Sequence, residues 1–302
     1  MSVRHFLDIT DLSARDLNQV LNLAEADIAK LGRPLADKGV ALIFEKPSNR
    51  TRHSMEMAVV QLGGHPIFTR GEEVGFDERE TVEDVTRILA GYHHAIAARV
   101  FAHSVLQRMA QVSSVPIINM LSEQSHPLQA IADVLTMRQE LGELGKKTVA
   151  WVGDYNNVAR SLAEACALEG MHVRIGSPSG YGAPQSELAR LKKLGAASVE
   201  QHESAVAAAE GANAVHTDVF VSMGQESETK KRLHDFAEFK VDAKVMTAAD
   251  RNAIFMHCLP AHREVEVSAE VIDGAQSRVV SQAHNRMHAA RGVLAHLMGV
   301  TI

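Results

Sequence analysis

Short apolar runs alternate along this chain with longer segments whose apolar positions recur every three or four residues. Val40-Ala41-Leu42-Ile43-Phe44 is the clearest run, and the segment after it carries Met55, Met57, Ala58, Val59 and Leu62 in a helical pattern. The pattern predicts strands over 40–45, 66–69, 95–100, 115–118, 148–152, 171–175, 197–200, 213–216, 253–257 and 278–280. It predicts helices over 13–31, 51–63, 81–91, 103–111, 127–141, 157–169, 185–194, 203–209, 227–236 and 283–298. Strands alternating with helices mean an α/β fold with mainly parallel sheets, since a parallel pair needs a crossover long enough to hold a helix. About ten strands suit two sheets better than one. Leu141-Gly142-Glu143-Leu144-Gly145-Lys146-Lys147 is glycine-rich and charged, so a boundary between two domains is expected there. The last helix, from about Ala283, is then free to pack back on the first half.

Composition narrows the function. Hydrophobic residues make up 46% of the 302, enough for sizeable cores and against wholesale disorder. Aromatics at 4% and a formal charge of −6 weigh against nucleic acid as a partner, so any anion site must be a local cluster of positive charge. Two cysteines, Cys166 and Cys258, rule out a disulfide framework and fit a reducing compartment. The N-terminus lacks the apolar core of a signal peptide, and no apolar run approaches the roughly 20 residues that span a bilayer. A cytoplasmic protein without a membrane partner is expected. The 16 histidines are scattered, with no His-Glu-x-x-His and no Cys-x-x-Cys, so no metal site is expected.

Five polar stretches follow predicted strands. After the first strand comes Pro47-Ser48-Asn49-Arg50-Thr51-Arg52, at the start of a helix. Free backbone N–H groups and the positive end of the helix dipole meet there, and hydroxyls, an amide and guanidiniums suit a phosphate. A plain helix cap followed by surface arginines is the competing reading. Arg99 ends another strand, where a charge is often a solvated boundary. In Ser122-Glu123-Gln124-Ser125-His126-Pro127-Leu128-Gln129, Pro127 fits the first helical position. His126 and Gln129 there can hold a small amide or carbonyl group, or His126 can simply cap the helix.

Gly153-Asp154-Tyr155-Asn156-Asn157 has the strand–loop–helix form of a dinucleotide site but not its Gly-x-Gly-x-x-Gly fingerprint. Its two asparagines suit a helix cap or the carboxylate and amine of an amino acid. Asp218, at the end of a strand, can accept hydrogen bonds from an ammonium group, and Ser222-Met223-Gly224 can touch a ligand through its backbone. His257-Cys258-Leu259-Pro260 invites a thiol-nucleophile reading, which needs a base and an oxyanion hole that spacing does not show. Cys166, inside an alanine-rich helix, reads as packing.

Together these stretches resemble the aspartate/ornithine carbamoyltransferase family, in order and over essentially the whole chain, and the ornithine branch more closely. Its Ser-Thr-Arg-Thr-Arg loop is similar to Ser48–Arg52, its His-Pro-x-Gln to His126–Gln129, and its Gly-Asp-x-Asn-Asn to Gly153–Asn157. Asp-x-x-x-Ser-Met-Gly, His-Cys-Leu-Pro and the closing Asn-Arg-x-His are matched by Asp218–Gly224, His257–Pro260 and Asn285–His288. The departures are Asn49 for a Thr, Glu123 and Ser125 for an Asp and an aromatic, and His284 for a Glu. Gly75–Thr81 also matches poorly a loop that in the family reaches a neighbouring subunit's site.

The resemblance implies two domains, 1–141 with the helix 283–302 for carbamoyl phosphate and 147–282 for ornithine. It implies transfer of the carbamoyl group to L-ornithine, giving L-citrulline and phosphate in arginine metabolism, by a homotrimer or a trimer-based higher oligomer and without cofactor or metal. Ser48, Asn49, Arg50, Thr51 and Arg99 would bind the phosphate. Thr51, Arg99 and His126 would stabilise charge on the carbonyl oxygen. Gln129, the backbone around Cys258 and Leu259, and Arg286 would hold the carbamoyl NH2, and Asn157, Asp218, Ser222 and Met223 the ornithine. Asp218 and Cys258 would also orient the attacking amine. A sister enzyme with another amine acceptor and a non-catalytic anion-binding relative are the rival expectations.

Overall fold

The computed structural model describes residues 3–222 and 224–302. The chain divides into two compact units, Met1–Leu135 with His284–Ile302, and Thr136–Ala283. The helices Pro127–Leu141 and Val279–Leu297 carry the chain from one unit into the other.

The first unit is built on four parallel strands, β1 (Gly39–Phe44), β2 (His65–Arg70), β3 (Ala95–Arg99) and β4 (Ile117–Leu121), in the order β2-β1-β3-β4. All five residues of β3 and the last five of β1 are buried, as expected of central strands covered on both faces. At the edge, β2 alternates between exposed and half-buried positions. The second unit has five parallel strands: β5 (Thr148–Val152), β6 (His172–Gly176), β7 (Ser198–His202), β8 (Ala214–Thr217) and β9 (Ile254–His257). Their order is β7-β6-β5-β8-β9. Its core gathers Val152, Val215, Phe220, Phe236, Phe239 and Phe255 beneath flanking helices. Each unit is thus a parallel sheet flanked by helices, the expected α/β architecture. Among the described residues, no helix is long and apolar enough to cross a membrane.

The helices Gly71–Val74, Ala243–Ala248 and Ala269–Ile272 fall outside the expected elements, and three of the expected elements differ most. Residues 278–280 form no strand. Phe255 makes an isolated bridge with Ser277, and the helix Val279–Leu297 begins two residues on. A β-branched pair resembles a strand locally, but here Val280 is exposed in a first helical turn. The helix expected over 13–31 breaks into Ala14–Glu25 and Ile28–Leu31, because Ala26 is extended and the Asp27 carboxylate caps the second piece through Ala29 N, 2.9 Å. The strand expected at 115–118 slides to Ile117–Leu121. There the buried Asn119 donates its backbone N–H to Phe6 O and its side chain to Leu7 O, both at 2.8 Å. A polar residue thus enters a strand because the N-terminal segment satisfies it.

The C-terminal part of helix Val279–Leu297 belongs to the first unit. Arg291 Nη2 donates to Ala24 O at 2.6 Å, and a Cβ at Gly292 would lie 2.6 Å from Val20 O. Alanine ordinarily stabilises a helix interior by about 1 kcal/mol relative to glycine. The obstacle here is backbone, so overpacking, about 1–3 kcal/mol, wins. Gly292→Ala is therefore expected to lower the thermal midpoint, and a variant melting higher than wild type would contradict this packing.

Candidate functional site

Parallel strands end on one edge, and the loops that leave that edge carry the singled-out residues. In the first unit the strand order reverses between β1 and β3, the position where a crevice opens beyond the carboxyl ends. Phe44 pairs with Arg99 across that step, and Glu45 N donates to Arg99 O at 2.9 Å. Ser48 is the N-cap of helix Asn49–Gln61 and takes the Thr51 N–H on its hydroxyl. The first-turn N–H groups have no intrahelical acceptor, so Asn49 and Arg50 present theirs at the open helix end. The expectation of Ser48–Thr51 at a helix N-terminus is met.

A chain of side chains joins this turn to the other singled-out residues of the unit. The Ser48 hydroxyl donates to Thr51 Oγ1 at 3.1 Å. Arg286 Nη2 donates to Thr51 Oγ1 at 3.1 Å, and its Nη1 to Gln129 Oε1 at 2.5 Å. Gln129 Nε2 donates to Asp133 Oδ1 at 2.7 Å. The amide orientation of Gln129 is set from both ends, which leaves the second lone pair of Oε1 for a ligand N–H. Thr51, Arg99, His126, Gln129, Asp133 and Arg286 are all buried. Burial, then the charges of Arg286 and Arg99, push the His126 pKa well below its ordinary 6.5. His126 is accordingly a neutral imidazole, able to donate one hydrogen bond. Burial and Arg99 also press down the pKa of Lys46, a cation at this edge that the sequence reading passed over.

In the second unit the order reverses between β5 and β8. Val152 pairs with Thr217, and Thr217 with His257. The next residues along are Gly153, Asp218 and Cys258, so three separate motifs leave the sheet side by side. Gly153 turns the chain at φ 140°, a conformation that favours glycine. Asn156 caps helix Asn157–Leu168 with Oδ1, which accepts from Val158 N and Ala159 N at 2.9 and 3.0 Å. That fixes its amide so that Nδ2 donates to Asp218 Oδ2 at 3.0 Å. Cys258 Sγ donates to the other oxygen, Asp218 Oδ1, at 3.0 Å. Asn157 follows as the first helical residue, half-buried like Ser222, whose N–H donates to Gln225 Oε1 at 3.0 Å. Met223 lies outside the described residues.

The thiol-nucleophile reading of Cys258 finds no base in its neighbour. His257 Nδ1 accepts from Leu259 N at 2.9 Å, and its Nε2 faces Glu266 Oε1 at 3.2 Å, both side chains fully buried. Asp218, His257 and Cys258 have ligand-type atoms within 4.8 Å of one another. Because the His257 Nδ1 lone pair is already taken, that trio is poorly prepared for a metal. The Leu259 N–H is likewise committed, so what Leu259 can offer a ligand is its carbonyl. Cys166 packs in the core. The poorly matching loop around 75–81 is tied within its own unit: Arg108 clasps Asp77 and Glu83 with contacts of 2.6 Å.

Sequence reasoning missed Asp133, Arg232 and the part played by Asn156. Asp133 falls one turn after Gln129, a spacing that puts both on one helix face. Arg232 sits in an exposed-looking Lys-Lys-Arg run and signalled nothing.

One unit with a cationic, hydroxyl-bearing edge and another with a carboxylate between an amide and a thiol define an α/β protein equipped for an anion and an amine. Comparison with known proteins gives the same class. Residues 4–139 match the family model for the aspartate/ornithine carbamoyltransferase carbamoyl-P binding domain, and 145–297 match that for the Asp/Orn binding domain. The chain is 44% identical over 311 residues to an ornithine carbamoyltransferase of Parafrankia sp. (strain EAN1pec), covering 100% of this chain and 98% of that one. It superposes on the ornithine carbamoyltransferase of Thermus thermophilus with a TM-score of 0.89 at 40% identity, covering 98% and 99% of the two chains. For the enzyme of Pyrococcus furiosus the TM-score is 0.93 at 38% identity, with 99% of each chain covered. The chain belongs to the aspartate/ornithine carbamoyltransferase family.

The depressed His126 pKa has a measurable sign. The unfolded chain protonates this residue near 6.5 and the folded one resists, so His126 costs stability as pH falls through that value and nothing above it. Its ring nitrogens are expected to keep the NMR signature of neutral imidazole at about pH 6. Ordinary titration near 6.5 would show that neither burial nor the charges of Arg286 and Arg99 act on it.

Proposed function

We propose that this protein transfers the carbamoyl group of carbamoyl phosphate to the side-chain amine of L-ornithine, giving L-citrulline and phosphate. The observation that carries the reading is the pair of differently equipped sheet edges. One gathers Thr51, Arg99, His126, Gln129 and Arg286, and the other holds Asp218 between Asn156 and Cys258.

Ser48, Asn49, Arg50 and Thr51 hold the phosphate with helix N–H groups, hydroxyl and guanidinium, and Arg99 bridges phosphate and carbonyl. Neutral His126 donates to the carbonyl oxygen beside Thr51 and Arg99, where negative charge grows as the amine attacks. Gln129 Oε1, steered by Asp133 and Arg286, takes an N–H of the carbamoyl group. Asn157 and Ser222, with Met223, bind the α-amino and carboxylate end of ornithine. Asp218 and Cys258 orient the side-chain amine. That amine, with a free pKa of about 10.4, must shed a proton before it attacks. The departing phosphate accepts the proton lost on C–N bond formation as the C–O bond breaks. Placement and fixed charge supply the catalysis, and no covalent intermediate enters.

The domain roles follow, with carbamoyl phosphate on 1–141 plus 283–302 and ornithine on 147–282. We infer a cytoplasmic enzyme of arginine metabolism, working as a homotrimer or a trimer-based assembly. In support of assembly, Met57, Val60 and Ile67 are 45%, 49% and 44% exposed around the edge strand β2. Light scattering at the mass of one chain would refute the oligomer.

The decisive assay measures citrulline from carbamoyl phosphate, with ornithine, putrescine, lysine and aspartate compared as acceptors. Arg50→Ala is expected to weaken carbamoyl phosphate and leave ornithine binding nearly intact. Near-normal carbamoyl phosphate affinity would sink the phosphate-loop assignment. Asp218→Asn keeps shape but removes charge, and a charge-assisted hydrogen bond contributes about 1.5–3 kcal/mol. Its kcat/KM for ornithine should fall roughly ten- to a hundredfold, with phosphate-analogue binding to the free enzyme unchanged. Equal loss on both ligands would refute the acceptor role of Asp218.

A further inference from the structure

Arg232 lies on helix Thr229–Asp235, outside every motif that carries the family resemblance, and is buried at 7% exposure. Its Nη1 donates to Asp154 Oδ2 at 2.8 Å and to Phe220 O at 3.2 Å. Asp154 belongs to the loop that presents Asn156 and Asn157, and Phe220 to the loop that runs from Asp218 to Ser222. One nitrogen of one guanidinium therefore ties the two acceptor loops together. The remaining contacts hold that guanidinium in place. Nε donates to Glu228 Oε2 at 2.9 Å, and the group lies 5.2 Å from the centroid of the Tyr181 ring. Tyr181 O in turn accepts from Tyr155 N at 2.9 Å, inside the first loop. Phe220 is itself seated, stacked on Phe236 at 4.7 Å.

We propose that Arg232 is a positioning residue for the amine acceptor: it sets the spacing between the loop bearing Asn156 and Asn157 and the loop bearing Asp218 and Ser222, without touching substrate. The guanidinium is planar and its donors diverge at fixed angles, so neither loop can shift without breaking a bond to the other. The carboxylate Asp218 and the amide Asn156 meet across these same loops at 3.0 Å. A change in loop spacing thus reaches the acceptor site directly. The role in acceptor binding rests on the proposed function; the tie between the loops does not.

The test compares Arg232→Gln, Arg232→Lys, Asp154→Asn and the double variant Arg232→Gln/Asp154→Asn in the full chain. Arg232→Gln is expected to raise KM for ornithine about tenfold or more and to leave carbamoyl phosphate affinity, measured by calorimetry on the free enzyme, unchanged. At saturating ornithine its kcat should stay within about threefold of wild type. Arg232→Lys keeps the charge but lacks the fork, and should recover part of the loss. The double variant should lose little more than Arg232→Gln alone, because both break the same tie.

Hydrogen exchange supplies a readout independent of activity. Backbone protection at 153–157 and 218–222 should fall together in Arg232→Gln, while β6 and β7 keep theirs. Equal loss of affinity for both substrates, additive losses in the double variant, or loosening of one loop without the other would overturn the proposal. So would general loosening of the unit in both Arg232→Gln and Arg232→Lys. A wild-type protein that makes no citrulline would refute the proposed function instead, and the exchange pattern would still decide the tie.

Discussion

Parallel pairing makes every strand of a sheet end on the same edge, and both units rest on that constraint. Stretches separated by tens of residues become neighbours because the register makes them so. Phe44 beside Arg99 brings the loop before Ser48 to the end of β3. Val152, Thr217 and His257 in one row bring Gly153, Asp218 and Cys258 out together. In each sheet the strand order reverses at that step, so the helices leave on opposite faces and the edge between them stays open to a ligand. No side chain on this edge needs a long excursion to reach another.

Burial gives that arrangement its chemistry. Arg99, His126, Gln129, Asp133 and Arg286 all lie out of solvent, where an unpaired charge or dipole is costly. Part of that cost is offset by a connected chain in which Arg286 satisfies Thr51 and Gln129 while Asp133 holds the far end of the Gln129 amide. Burial, with two guanidiniums nearby, keeps His126 neutral and leaves positive potential at this edge. The second unit reaches the same end with opposite charge. A carboxylate is held by an amide and a thiol, and the amide is itself pinned as a helix cap. In both cases orientation is set within the protein itself, the kind of preorganisation that electrostatic catalysis requires.

Much of this was legible in the chain. Short apolar runs and period-three-to-four patterning located the nine described strands and the longer helices, since continuous apolar runs suit buried parallel strands. Local chemistry placed Ser48 at a helix cap, Pro127 at a first helical position and Arg99 at a strand end. Errors fell where tertiary partners override local preference. Val279 and Val280 read as a strand but start a helix, and Asn119 reads as a loop but sits in β4 because Phe6 and Leu7 satisfy it.

The amino-acid sequence by itself determined the α/β class, the order of the elements and the residue types at each loop, because periodicity, capping and turn chemistry act over a few neighbours. It also set which chemical groups each loop carries, since guanidinium, hydroxyl, amide and carboxylate keep their character wherever they fall. Tertiary structure alone decided which loops become neighbours, that Asn156 turns its amide to Asp218, and that Arg232 joins two loops. Those are contacts across 62 and 78 positions of chain, whereas Asp133 meets Gln129 four residues on, within the turn of one helix. The two long contacts depend on strand order and register, which no short window of residues encodes.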